Sequence, residues 1–238
     1  PHAQPIEVAV RAVTAGAHVL VEKPMATEPR EAEYLLDAAD AGGQAVYGVC
    51  NMRFHPAVET LWSHIDRIGR PLFARAHYGN YLPDMRPGTD YRTLYAADAQ
   101  QGGVILDGIH ELDYLTWLLG PIASITAEPA RLSDLAIAAE DYAALILRHD
   151  GGRRSEVHLD YIRPAKRRGC EIVGSDGILD WISEGKSPEQ CRVRLYTRSD
   201  GWSTLLHDED LDMEQPFRSM MKAFVDTLGD GAPRLQTG

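Results

Sequence analysis

His18-Val19-Leu20-Val21-Glu22-Lys23-Pro24 is the stretch on which the fold turns. His18–Val21 is a short apolar run, the mark of a buried strand, and it ends abruptly in two charges and a proline. Upstream, Ile6, Val8, Ala9, Ala12 and Val13 recur at helical spacing over residues 5–16, and Gly16 stands where a helix would stop. Downstream, Thr27 is placed to cap a helix over residues 28–41. Pro29 and acidic residues occupy its first turn, and Gly42-Gly43 follows its end. Residues 44–49 form a second apolar run. Helix, strand, helix, strand with short connections is the pattern of a parallel α/β sheet.

Beyond residue 52 the pattern changes. A helix is expected over 56–68, a strand over 72–81, a Pro/Gly/Asp-rich loop over 82–93, and a long apolar helix over 104–119, stopped by Gly120-Pro121. Strand-like runs follow at 122–128, 142–149, 154–162, 169–174, 177–182 and 191–197, and a last helix at about 215–228. Asp150-Gly151-Gly152 and Ser175-Asp176-Gly177 are hairpin signals. Successive strands with few helices predict a largely antiparallel sheet. Residues 1–52 therefore read as part of an α/β domain and 53–238 as an α+β domain.

The composition narrows the classes of function. The 238 residues are 44% apolar and 25% charged, as in ordinary globular domains, which excludes disordered and low-complexity chains. No apolar run is long enough to make a transmembrane helix. The formal charge is 24 − 35 = −11, so a nucleic-acid backbone is not the expected partner. Cys50, Cys170 and Cys191 are too few and scattered for a disulfide framework, and a reducing cytoplasm is the expected home. His-Asp-Glu-Asp-Leu-Asp at 207–212 reads as a solvated acidic loop. Arg163, Lys166, Arg167 and Arg168 form a local basic patch that could touch a substrate phosphate or carboxylate but on an acidic protein reads more simply as solvated surface or a subunit contact, and Trp62, Trp181 and Trp202 read as packing residues.

Three segments could carry chemistry. In Gly102-Gly-Val-Ile-Leu-Asp107-Gly-Ile-His110-Glu-Leu-Asp113-Tyr114-Leu-Thr-Trp117, one helical stripe holds Asp107, His110, Glu111 and Tyr114, and the rest is nearly all apolar. A histidine beside a carboxylate suits general acid/base work, its unperturbed pKa being about 6.5. The alternative is an Asp–His pair that only fastens the helix. Glu22-Lys23 lies at the carboxyl end of a buried strand, where ligands bind in open α/β sheets; the alternative is a solvated charge pair. Asn51-Met-Arg53-Phe54-His55-Pro56 also follows a strand end, and Arg53 could fix an anionic or polyhydroxyl ligand, or make a structural ion pair. Tyr91-Arg92, in the loop before the long helix, is a candidate substrate contact. Asp107, His110 and Asp113 stand at i, i+3 and i+6, which turns Asp113 away from the other two, and no metal is expected.

Together these segments resemble the Gfo/Idh/MocA oxidoreductases, the glucose–fructose oxidoreductase and inositol dehydrogenase family. The resemblance rests on Glu22-Lys23-Pro24 after one strand, Asn51-x-Arg53-Phe54-x-Pro56 after the next, and Gly-Gly-x-x-x-Asp107-x-x-His110-x-x-Asp113 on a helix. His2 fits the family's Pro-x-x-x-His segment, and Glu171-Ile-Val-Gly174-Ser-Asp-Gly177 resembles its Glu-x-x-Gly-x-x-Gly hairpin. The resemblance implies the remainder of a Rossmann-type parallel sheet followed by an α+β domain with an open, mostly antiparallel sheet. It implies NAD or NADP and hydride transfer at a hydroxyl carbon of a sugar, amino sugar or cyclitol. By motif, Glu22, Lys23, Pro24 and Arg53 would bind cofactor, with Lys23 also touching the substrate hydroxyl and the Lys23–Pro24 bond cis. His110 would move the hydroxyl proton, Asp107 would support it, and Tyr91, Arg92, Asp107 and His110 would contact substrate. A homodimer or tetramer through the antiparallel sheet is also implied.

Two features depart from the family pattern. Its Gly-x-Gly-x-x-Gly loop is not found in these residues, so a piece of a longer protein, or a non-catalytic binding or assembly member, is the alternative reading. The commoner family spacing is Asp-x-x-x-His, and Asp107-Gly-Ile-His110 is closer to a branch with Asp-x-x-His-Glu-x-Asp-Tyr.

Overall fold

The computed structural model describes residues 4–26, 28–185 and 189–230, which form two compact units. The first unit runs to Phe54 and resumes at Glu214; the second is His55–Met213.

The first unit opens with α1 (Gln4–Thr14), β1 (Val19–Val21), α2 (Pro29–Gly42) and β2 (Val46–Gly48). β1 and β2 are parallel, with Val19 opposite Val46 and Val21 opposite Gly48. Their core is the apolar stripe read from the sequence: Ile6, Ala9 and Val13 of α1 and Leu35 and Ala39 of α2 close over Val21 and Val46. α2 begins at Pro29, and the Glu28 amide donates to the Glu31 carboxylate at 3.4 Å. The expected cap Thr27 lies outside the described residues. Gly43 ends the helix in the left-handed region (φ 73°), which a side chain would strain.

The second unit contains α3 (Pro56–His64), β3 (Pro71–Tyr81), α4 (Val104–Asp107), α5 (Ile109–Leu119), β4 (Ile122–Ala130), β5 (Tyr142–His149), β6 (Arg154–Asp160), β7 (Ile162–Gly174), β8 (Gly177–Glu184), β9 (Glu189–Thr197) and β10 (Gly201–Leu211). Its eight strands lie in the order β10-β9-β8-β7-β3-β6-β5-β4. Every neighbouring pair is antiparallel except β3 and β6. One face is covered, by α3 over β8 and β9 and by α4 and α5 over β3, β5 and β6. Ala74, Ala76 and Tyr78 alternate inward on β3, as do Ile172 and Cys170 on β7 and Leu179 and Trp181 on β8. The other face carries charged pairs such as Arg75–Glu156.

The structure corrects the sequence reading at four places. The long helix is two, broken at Gly108 (φ −84°, ψ 17°), where a Cβ would come 2.8 Å from the Leu159 side chain. Residues 201–211 form the edge strand β10, and the acidic run ends that strand rather than a loop. Charges at Asp208, Glu209 and Asp210 and two register shifts blunt the edge against pairing. β7 begins seven residues earlier than 169, at Ile162. On β7, 163–166 bulge opposite Asn80 alone, because Tyr81 pairs with Ile162 and Gly79 with Arg167. Pro164, which lacks a donor, sits in this bulge.

The last helix, α6 (Gln215–Asp230), belongs with the first unit, although the sequence grouped it with residues 53–213. Met220 is buried against Tyr47 and Val49, and Phe224 meets the Tyr47 ring edge-on at 5.5 Å.

Candidate active-site residues

In the first unit the candidates sit at the carboxyl ends of two neighbouring parallel strands. The Val49 amide donates to the Val21 carbonyl at 2.8 Å, so the two strand ends lie side by side. Glu22-Lys23-Pro24 leaves one end with the Lys23–Pro24 bond cis, as expected. Glu22 is exposed and its carboxylate accepts the Lys23 amide at 3.2 Å, whereas Lys23 and Pro24 are half-buried. From the other end, Asn51–Phe54 forms one 3-10 turn, in which the Arg53 amide donates to the Cys50 carbonyl at 3.1 Å. Two cationic side chains thus stand where open α/β sheets bind ligands. His2 lies outside the described residues.

In the second unit Asp107 ends α4 and His110 lies in the first turn of α5. Asp107 is almost fully buried and accepts the Tyr95 hydroxyl. Tyr78, Tyr95 and Tyr161 surround it. Burial first, and then the Asp107 carboxylate, hold all three phenols well above their ordinary range, so they remain donors at neutral pH. The Tyr161 hydroxyl also donates to the Gly103 carbonyl at 3.0 Å. His110 itself is half-buried.

Next to His110, Glu111 is fully buried against Arg168 of β7. Arg168 Nε donates to Glu111 Oε1 at 2.6 Å and Nη2 to Oε2 at 3.1 Å. The guanidinium also lies over the Tyr78 ring, 4.8 Å from its centroid. Burial works against the Arg168 charge, but Glu111 outweighs it and the pKa is raised.

A second buried network ties α3 to the sheet. His55 Nδ1 accepts the Ala57 amide at 3.1 Å, which leaves the proton on Nε2 to donate to Glu189 at 3.3 Å. Lys166 Nζ donates to the other Glu189 oxygen at 2.5 Å. Burial opposes the Glu189 charge, but His55 and Lys166 pull its pKa down to about 2, and burial holds His55 below its ordinary value. Arg168 and Lys166 are therefore internal partners, not the solvated surface the sequence suggested.

Arg92 turns onto Asp90, with Nη2 2.6 Å from Oδ2, and is exposed. Tyr91 accepts the Ala136 amide at 3.2 Å through its hydroxyl. The structure brings Asp107 and His110 onto one short strip, while Tyr91 and Arg92 stand on a preceding turn with local partners. Trp181 is packing, as expected, with its ring NH on Ser183 at 2.8 Å; Trp62 stacks on Trp117 at 4.4 Å, and Trp202 lies under Arg194. Sequence reasoning missed Tyr78, Tyr95, Tyr161 and the pairing of Arg168. Only Glu111, on the His110 stripe, pointed toward them.

The β7 bulge opens a cleft of about 680 Å³ lined by Asn80, Asp84, Arg163, Lys166, Arg167 and Glu184. Its cations have carboxylate neighbours: Arg163 has Asp160 at 3.4 Å, Lys166 has Glu189, and Arg167 has Glu184 at 3.7 Å. Three cationic side chains and two carboxylates therefore line the cleft, which offers both donors and acceptors.

Comparison with known proteins places these features. Residues 2–49 match a model described as the oxidoreductase family, NAD-binding Rossmann fold, and residues 64–180 match the GFO/IDH/MocA C-terminal domain. Inositol 2-dehydrogenase 3 of Saccharopolyspora erythraea is 25% identical over 93% of this chain and 62% of its own length. The 1,5-anhydro-D-fructose reductase of Ensifer adhaerens is 30% identical over 73% of this chain and 52% of its own. The chain spans between 45% and 64% of the length of the first such relatives. An Agrobacterium radiobacter oxidoreductase crystallised with NAD+, L-tartaric acid and magnesium shares the fold, with TM-score 0.83, 20% identity, and coverage of all of this chain and 70% of that one. Two models of one family, met in order along the chain, and the same two-part fold place this chain in the GFO/IDH/MocA family.

Proposed function

We propose that this protein is an NAD(P)-dependent oxidoreductase that moves a hydride between nicotinamide and a hydroxyl-bearing carbon of a sugar, amino sugar or cyclitol. The observation that carries the reading is the pair of parallel strand ends followed by Lys23, within the segment 2–49 that matches an NAD-binding model, and by Arg53 just beyond it. Those donors suit the ribose and amide oxygens of a dinucleotide, with Glu22 and Pro24 flanking Lys23 at the strand end. Bound nicotinamide supplies the hydride acceptor, or the donor in the reverse direction. In the oxidation direction the alcohol carbon gives up its hydride, its hydroxyl proton passes to His110, and a carbonyl forms. Asp107 holds the strip that bears His110, Lys23 donates to the reacting oxygen, and Tyr91 and Arg92 contact substrate.

The open sheet face, with Ile146 54% exposed among charged pairs, supports association into a dimer or tetramer through that face. No helix among the described residues is long and apolar enough to cross a membrane, and Cys170 and Cys191 are buried thiols, which supports residence in the cytoplasm.

The test is titration with NADH and NADPH, followed by turnover with inositols and 1,5-anhydro-D-fructose, for the wild type and His110→Asn. Turnover that vanishes in the variant while nucleotide binding persists is expected. Failure of the wild type to bind either nucleotide, or to turn over any hydroxylated substrate, would overturn the reading.

A further inference from the structure

We propose that Arg168 is a positioning residue for His110, acting through Glu111. The inference rests on the proposed role of His110 and deepens it.

The segment from Asp107 to Glu111 is unusual for a buried helix because it is not one helix. It breaks at Gly108, where close approach to Leu159 leaves no room for a side chain. A break removes the continuous hydrogen-bond ladder that would otherwise fix the rotation of α5 relative to α4. The Gly108 amide still closes the last turn of α4, on the Val104 carbonyl at 2.8 Å, and the Glu111 amide donates to the Gly108 carbonyl at 3.1 Å. Side chains must supply the rest.

They do so on both sides of His110. Before it, Asp107 is held by the Tyr95 hydroxyl. After it, Glu111 is gripped through both oxygens by Arg168, with contacts of 2.6 and 3.1 Å. A two-point grip on a planar carboxylate fixes rotation as well as distance, which a lysine ammonium would not do. Arg168 is itself held on a central strand, between β3 and β8, with its guanidinium over the Tyr78 ring. Glu111 adjoins His110 in the chain, so a small rotation of Glu111 about the α5 axis carries the imidazole with it.

A buried ion pair is a poor source of stability, because desolvation cancels most of the attraction, and apolar replacement of both partners is often tolerated. What such a replacement does lose is orientation. The discriminating variant is therefore the double substitution Glu111→Leu with Arg168→Met, beside Arg168→Lys, which keeps the charge and loses the fork.

The first measurement is the His110 ring signal in carbon-13 NMR of the whole chain. One sharp signal is expected in the wild type, and broadened or multiple signals in both variants, with thermal unfolding still cooperative. The second is turnover. A fall of about 10²-fold in kcat with nucleotide affinity and KM little changed is expected, the size of effect that misplacement of a catalytic group by about 1 Å produces. Arg168→Lys, which keeps the charge, should not restore kcat. An unchanged His110 signal in the folded double variant overturns the proposal, as does wild-type kcat. Should the wild type show no turnover at all, the functional reading falls, and the NMR comparison still decides whether Arg168 positions His110.

Discussion

Two buried ion networks hold helices to the same face of the large sheet, and they have different neighbours. Glu111–Arg168 ties α5 to β7 immediately beside His110. His55–Glu189–Lys166 ties the start of α3 to β9 and β7, and its lysine also lines the cleft at the β7 bulge. Both link carboxylates at most 1% exposed to cationic groups, and both bridge elements far apart in the chain. The chemistry of the bond is thus common to the two, and what differs is what the bond holds in place. The type of interaction does not reveal a role; the neighbouring residue does.

The largest effect expected is at His110, since the contrast means nothing if that residue is idle. His110→Asn should lower kcat by at least about 10²-fold, the contribution typical of a positioned acid/base, with the unfolding midpoint near that of the wild type. Steady-state kinetics beside urea unfolding will check this. A variant that keeps kcat would remove the distinction between the networks.

The second network should fail in the opposite way. Glu189→Leu leaves the Lys166 ammonium, 13% exposed, without its carboxylate, and His55 without an acceptor. A loss of about 3 kcal/mol in unfolding free energy is expected, at the low end for breaking a buried pair because Lys166 reaches the cleft. The kcat per folded molecule should change less than in the Arg168 variants. Equal falls in kcat would mean that any disturbance under the helices reaches the site.

How much of this was legible depended on where each partner lies. Glu22-Lys23-Pro24 and its strand could be read because an apolar run, its end and its turn are all local, and the cis bond followed from the motif. The apolar stripe of α5 was legible for the same reason. The break at Gly108 was not, because the residue that leaves room only for a glycine there, Leu159, lies far along the chain on β6. Arg168 looked like surface because it stands in a run of basic residues; only the pairing of β7 with β3, and α5 above them, shows that it points inward. β10 escaped because an edge strand exposed on both sides carries no alternation of apolar residues. α6 announced a helix, but nothing in its stripe says that Tyr47 and Val49 are what it covers.

Acid should separate the networks further, since only one contains histidine. Burial depresses His55 in the folded chain below its ordinary 6.5, so below that pH the unfolded chain binds more protons and stability falls. Glu189, held near 2 against an ordinary 4.5, adds stability that is complete above 4.5 and lost as the pH drops toward 2. His77, lowered to about 4 mainly by burial, adds to the first slope, and its buried Nε2 has no hydrogen-bond partner among the described residues. Stability should therefore decline from pH 6.5 downward. His77→Gln should flatten that decline, whereas the Glu111→Leu, Arg168→Met pair should keep it. Thermal melts between pH 7 and pH 4 will check both, and a decline equally steep in all variants would place the acid sensitivity elsewhere.

The smallest effect belongs to an ion pair on the open face. Arg75 Nε donates to Glu156 Oε2 at 2.9 Å, as short as many buried contacts, but both side chains are about 60% exposed. Water screens the attraction, and holding two long side chains together costs rotamer freedom that the pair barely recovers. Arg75→Ala should cost no more than about 1 kcal/mol, most of it gone in molar salt, because the screening length there falls to about 3 Å. A larger and salt-independent loss would mean that this face is covered in solution. The contrast would then lie between an interface and a core, and the same variant would raise the protein concentration below which an oligomer dissociates, measurable by analytical ultracentrifugation.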